Sequence, residues 1–264
     1  GSRSRKAGQT MNGHSEASAT PINEGIAPAA PSLAPLDEAI VLHIRAYRET
    51  SCLVDLLTRE RGRLRLLAKG VRRGRQPSGD LSPFSRIRYT VGGRGELRLL
   101  TSVEGVSGWL RLEGEGLYCG FYVAELVMRL LPLEDAHPEL YEEILAVIQQ
   151  LGQGIRPERL LRRFERALLE ELGYGLSLWE DTIGDPIEAS AFYLYHPEQG
   201  AQKVSDAQGG IPGSALIALA TDDFEDERDL LFAKKLMRSM LDRQLDGRPL
   251  KSRELFQTFS RRNA

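Results

Sequence analysis

The residues with the clearest chemical potential in this chain are cationic. Between Arg59 and Arg75 stand eight Lys/Arg (Arg59, Arg61, Arg63, Arg65, Lys69, Arg72, Arg73 and Arg75) against a single acid, Glu60. Guanidinium groups this dense and of one sign suit a phosphate backbone, because neutralising phosphates releases condensed counterions. A merely solvated face ordinarily mixes signs. Arg86 and Arg88 stand two residues apart, and Arg94 sits in Gly92-Gly93-Arg94-Gly95; that turn could offer amides to a phosphate, and a hairpin explains it as well. Covalent chemistry finds no template. His14, His43, His137 and His196 are scattered without metal-ligand spacing, and neither a phosphate-binding glycine loop nor a nucleophile elbow is present. Asp55, Glu60 and Asp80 are too scattered to argue for a nuclease metal. The two cysteines, Cys52 and Cys119, each lie in an apolar run. They read as buried thiols and exclude a disulfide framework or a four-thiolate zinc site.

A second signal lies between Pro157 and Leu172. At 100° per residue, Leu160, Leu161, Phe164, Ala167, Leu168 and Leu172 form an apolar stripe, while Arg159, Arg162, Arg163 and Arg166 gather opposite it with Leu169 among them. That face would suit an acidic peptide with an apolar anchor, arginines taking carboxylates and the leucine a side chain. An ordinary amphipathic helix, pairing its arginines with Glu158, Glu165 and Glu170, accounts for the same pattern.

These residues need elements to hold them. Among 264 residues, 41% are hydrophobic and 27% charged, the proportions of an ordinary globular chain of one or two domains. Residues 1–36, rich in Ala, Pro, Ser, Gly and Thr, read as a disordered tail, and the Gly1-Ser2 opening with its first Met at position 11 reads as a processed or appended start. From Ala39 the pattern predicts five strands, 39–47, 52–58, 64–69, 85–91 and 97–103, enough for a small closed barrel with a mobile Gly-rich loop at 70–79. On the third strand Arg63, Arg65 and Lys69 share the outer face while Leu64 and Leu66 enter the barrel. After Gly116 the period turns helical: 117–131, with Glu125 and Arg129 at i,i+4, then 138–151, 157–172, and helices from about 214, 226 and 249. Residues 176–212 form a small β or loop insert. Charge follows the same division, with 15 Lys/Arg against 10 Asp/Glu over 37–115 and 17 against 25 over 116–264. The expected architecture is therefore α+β: a basic barrel module at 37–115 and an acidic helical module at 116–264. No apolar stretch is long enough to span a membrane, so a cytoplasmic location is the expectation.

Five segments together resemble the RecO family of bacterial recombination mediators: 39–51 (AIVLHIRAYRETS), 62–70 (GRLRLLAKG), 161–165 (LRRFE), 172–175 (LGYG) and 249–256 (PLKSRELF). The likeness is collinear over about residues 38–260. It implies an N-terminal OB-fold, a helical domain, and work on single- and double-stranded DNA alongside RecR, often RecF, single-stranded DNA-binding protein (SSB) and, indirectly, RecA. Many family members carry a four-cysteine zinc ribbon before their last helices. Residues 176–212 hold no cysteine, so the chain is similar to the metal-free branch, without cofactor, and its insert must be held by packing of residues such as Trp179, Phe192 and Tyr195. The first arginine of Leu-Arg-Arg-Phe, Arg162, matches the family position associated with the acidic SSB tail, with Arg166, Leu169 and Arg129 as its expected companions. For DNA, the expected contacts are Arg63, Arg65, Lys69, Arg72, Arg73, Arg75, Arg86, Arg88 and Arg94. The reading is thus a non-enzymatic mediator that anneals strands and helps load RecA. Its alternative is an adaptor whose barrel binds protein.

Overall fold

Alternation in the first hundred residues does build a barrel. The structure, a computed structural model, describes residues 37–71, 81–95, 97–205 and 209–263, with backbone only from 260. The tail at 1–36 and Arg72, Arg73, Arg75 and Asp80 lie outside these described residues. Strands β1 (Asp37–Tyr47), β2 (Ser51–Thr58), β3 (Gly62–Ala68), β4 (Arg86–Gly92) and β5 (Leu99–Gly105) close in the order β1-β2-β3-β5-β4. Every pairing is antiparallel except β3 with β5 at Leu67 and Leu99. The interior is filled by Ala39, Val41, Val54, Leu56, Leu64, Leu66, Ile87 and Tyr89, as the period of two requires. This is a small Greek-key barrel of the OB type.

The outer faces of β1 before its bulge and of β2 are also largely apolar and buried. Ile40, Leu42, Leu57 and Phe84 belong to the same core as the helices that follow. A strand buried on both faces loses its alternation, which explains why β2 reads as a nearly continuous apolar run broken only by Asp55. A β-bulge between Val41 and His43 then turns β1 so that Ile44 reaches the barrel core and Arg45 faces outward. Gly62 fixes the junction. Its φ is +63°, and a Cβ there would fall 1.7 Å from the Asp135 carbonyl oxygen, so only glycine fits. Beside it the Glu134 amide donates to the Arg63 carbonyl at 2.9 Å.

The helical part comprises α1 (Gly114–Leu130), α2 (Pro138–Gly152), α3 (Pro157–Glu171), α4 (Gly213–Thr221), α5 (Glu227–Gln244) and α6 (Lys251–Asn263), with a small sheet of β6 (Phe192–His196), β7 (Gly200–Val204) and β8 (Ile211–Pro212) between α3 and α4. Pro157 and Pro138 open their helices at the first turn, where a missing N–H costs nothing. The Asp226 carboxylate accepts from the Arg228 amide at 2.7 Å to start α5. α3 is the central helix: it packs on α1, α2 and α5 together, which is why both of its faces are buried.

The insert is held by apolar packing, with Tyr195 partly buried against the helical core as expected. Trp179, expected to pack it, is 60% exposed, because Leu178 beside it takes the inward position. Tyr193, Leu178 and Ile187 form its buried part, and the Tyr193 hydroxyl accepts from the Glu188 amide at 2.9 Å. Its first turn is tied by Asp181, whose Oδ1 accepts from the amides of Ile183 and Asp185, both at 3.0 Å. Among the described residues no three His, Cys, Asp or Glu side chains are grouped to hold a metal. A chelator should therefore leave the melting temperature unchanged. Stoichiometric zinc in purified protein, with a fall in melting temperature on its removal, would contradict this packing account.

Candidate functional site

The strand arginines do not form one free cationic face. At the Gly62 end of β3, Arg63 is only 8% exposed and its Nη1 donates to the Met128 carbonyl of α1. Burial lowers the basicity of Arg63. Arg65 pairs with Asp55 at 2.9 Å, and that carboxylate is almost wholly buried. On β4, Arg86 and Arg88 share the Glu38 carboxylate at 2.6 and 3.2 Å. Burial alone would raise the Glu38 pKa, but the two arginines outweigh it and hold it below the usual value. Of these expected DNA contacts, Arg63 is thus buried against α1, whereas Arg65, Arg86 and Arg88 stay open to solvent in part and are each also paired with a carboxylate. Asp55 and Glu60 likewise pair with Arg65 and Arg59.

Lys69, Arg88 and Arg94 are the exposed ones among the described DNA contacts that were expected. The ladder Ala46, Cys52, Ala68 runs side by side across β1, β2 and β3. It brings the β1–β2 turn with Arg45 and Arg48 to the same end of the barrel as Lys69, the residue from which the chain continues toward Arg72. Gly62 and its helical neighbours are at the opposite end of this ladder. Sequence reading missed Arg45 and Arg48, both exposed. Tyr47, whose ring lies 5.3 Å from the Arg48 guanidinium, was the available signal, since aromatic and basic residues side by side mark nucleic-acid surfaces.

The arginines of α3 are redistributed too. Arg163 pairs with Glu143 of α2 at 2.5 Å, Arg166 with Glu170 at 3.2 Å, and Arg159 donates to the Phe224 carbonyl. Leu169 is fully buried in the helical core. It cannot serve as the exposed anchor expected for it, because α3 has helices packed on more than one of its sides. Arg129 is held by Glu125 at 3.0 Å. Arg162 alone of the four expected peptide contacts lines a cleft of about 670 Å³.

That cleft is built from one face of each of four helices. α1 gives Tyr118, Cys119 and Tyr122, α3 gives Leu161, Arg162 and Glu165, α5 gives Lys234 and Arg238, and α6 gives Arg253 and Phe256. At its base Arg162 pairs with Glu165 at 2.5 Å, and the Tyr122 hydroxyl donates to the same carboxylate oxygen at 2.6 Å. Burial, reinforced by Glu165, raises the Tyr122 hydroxyl well above its ordinary range. Burial pushes the Cys119 thiol up to about 12, as expected of a cysteine packed in apolar surroundings. Lys234 and Arg238 stand exposed on α5. Cations around aromatic and leucine side chains can take carboxylates and an apolar side chain together. Tyr118, Tyr122, Lys234, Arg238, Arg253 and Phe256 escaped sequence reading because they lie on three helices far apart in the chain.

A closed OB-type barrel joined to a helical part whose cleft mixes basic and aromatic side chains with the acids Glu115, Glu158 and Glu165 defines the class of protein. Residues 35–109 match the family described as Recombination protein O N terminal, and residues 111–254 match Recombination protein O C terminal. The chain belongs to the RecO family. It is 42% identical over 225 residues to the DNA repair protein RecO of Halorhodospira halophila, covering 83% of this chain and 95% of that protein. To the protein of the same name from Methylococcus capsulatus it is 42% identical over 232 residues, covering 87% and 96%, and to that of Pseudomonas aeruginosa 43% over 227 residues, covering 85% and 96%.

Proposed function

We propose that the chain is a DNA repair mediator without catalytic chemistry of its own. It binds single- and double-stranded DNA through the barrel and anneals complementary strands. Through the helical cleft it takes the acidic tail of SSB, and with RecR it helps load RecA onto coated strands. The observation that carries this reading is the pairing, in a chain of this family, of two separate surfaces that bear basic side chains. One is the barrel end bearing Arg45, Arg48 and Lys69, with Arg72, Arg73 and Arg75 next in sequence; the other is the Arg162 cleft. Phosphate contacts at the first supply affinity without sequence preference. The second has apolar walls, which nucleic-acid backbone does not need and a peptide side chain does.

The deciding experiment is a salt series of single-stranded DNA titrations without nucleotide or metal. The expected result is a steep negative slope of log affinity on log salt. Absence of binding even at low salt would instead support an adaptor whose barrel takes protein.

A further inference from the structure

One wall of the cleft is fixed from outside it. α6 supplies Arg253 and Phe256, yet Lys251, Glu254, Leu255 and Gln257 are all exposed. Its N-terminal end is tied by a single carboxylate. Glu125, on α1 one turn beyond Tyr122, accepts at Oε1 from the Lys251 amide at 3.1 Å. Its Oε2 accepts from the Ser252 amide at 2.8 Å and the Ser252 hydroxyl at 2.7 Å. The first amides of a helix have no partner within it, and an anion placed there also meets the positive end of the helix dipole. Glu125 therefore caps a helix that begins 126 residues later. Burial alone would raise the Glu125 pKa. The Ser252 and Lys251 donors and Arg129 outweigh it, and the carboxyl stays below its usual value and charged. Beyond the cap, Arg253 is braced by Asp242 of α5 at 2.5 Å and lies 5.8 Å from the centre of the Tyr122 ring. Phe259 meets the Tyr118 ring at 4.5 Å.

We propose that Glu125 is a positioning residue for the peptide cleft: by capping α6 it sets Arg253 and Phe256 as the far wall, so peptide affinity depends on a carboxylate the peptide does not touch. This rests on the acidic-peptide reading of the cleft and adds a coupling to it. A peptide that needs the docked wall must stabilise that docking by the same free energy that docking contributes to binding.

The test uses the full chain, a labelled peptide of aspartates ending in leucine, and hydrogen exchange read along α6. Wild type binds the peptide, and the peptide slows exchange of the α6 amides. Glu125→Gln turns one acceptor into a donor facing an N–H or hydroxyl. It should weaken the peptide about tenfold and speed α6 exchange, with DNA affinity unchanged. Ser252→Ala removes only the hydroxyl donor and should weaken the peptide about threefold, which keeps the idea testable if Glu125→Gln fails to fold. If Glu125→Gln binds the peptide as wild type does while Arg253→Ala does not, the positioning role is overturned and the cleft reading stands. If wild type ignores the peptide, both fall. Peptide binding that leaves α6 exchange untouched overturns the coupling.

Discussion

Arg162→Ala should destabilise the fold by about 3–5 kcal/mol, the usual cost of removing one partner of a buried ion pair. Arg162 and Glu165 are 4% and 1% exposed, so the substitution strands a carboxylate that only the Tyr122 hydroxyl then serves. Helix propensity favours alanine, but that gain of a few tenths of a kcal/mol is far smaller. Affinity for an acidic peptide should fall in the same variant, while DNA affinity stays near wild type. Denaturant unfolding of the single variants and of Arg162→Ala/Glu165→Gln together separates the causes. The double variant leaves no stranded charge and should recover part of the stability without recovering peptide binding. Wild-type stability in Arg162→Ala would mean that the pair is open to water and that the arginine is only solvated charge.

Reversing Arg72, Arg73 and Arg75 to Glu should have the largest effect on nucleic acid. Each phosphate contact on a single strand contributes about 0.7 to the slope of log affinity on log salt, so three lost contacts flatten it by roughly 2. At low salt the affinity should drop on the order of a hundredfold, alike for all sequences, since backbone contacts carry no base information. Peptide binding at the cleft should not change. Equal slopes for wild type and variant would remove these residues from the DNA path and leave Arg45, Arg48 and Lys69 to account for it.

The barrel, the helices and their order were legible in the sequence because each rests on a local period, two for β1 to β5 and 3.6 for α1 to α3. The fate of individual arginines was not. Arg63 and Arg65 were placed on the correct face of β3, but no local pattern says that the Gly62 end of that face meets α1. The apolar run of β2 is the trace of that burial, and it could have warned that the neighbouring strand is covered too. Leu169 misled for the same reason: a helical wheel shows one apolar side, whereas α3 has neighbours on several. Arg162 could be singled out because it belongs to a contiguous motif, whereas most side chains that share its cleft come from α1, α5 and α6.

The shared core of barrel and helices bears on how the molecule can be divided. Ile40, Leu42, Leu57 and Phe84 bury their side chains among residues of the helical part, each contributing about 1.5–3 kcal/mol by leaving water. A barrel cut free after residue 109 would expose that apolar strip as a sticky surface, inviting self-association. The boundary between the two family matches is therefore a boundary in sequence but not in packing: the halves should melt as one body, and a lesion in either should weaken the other.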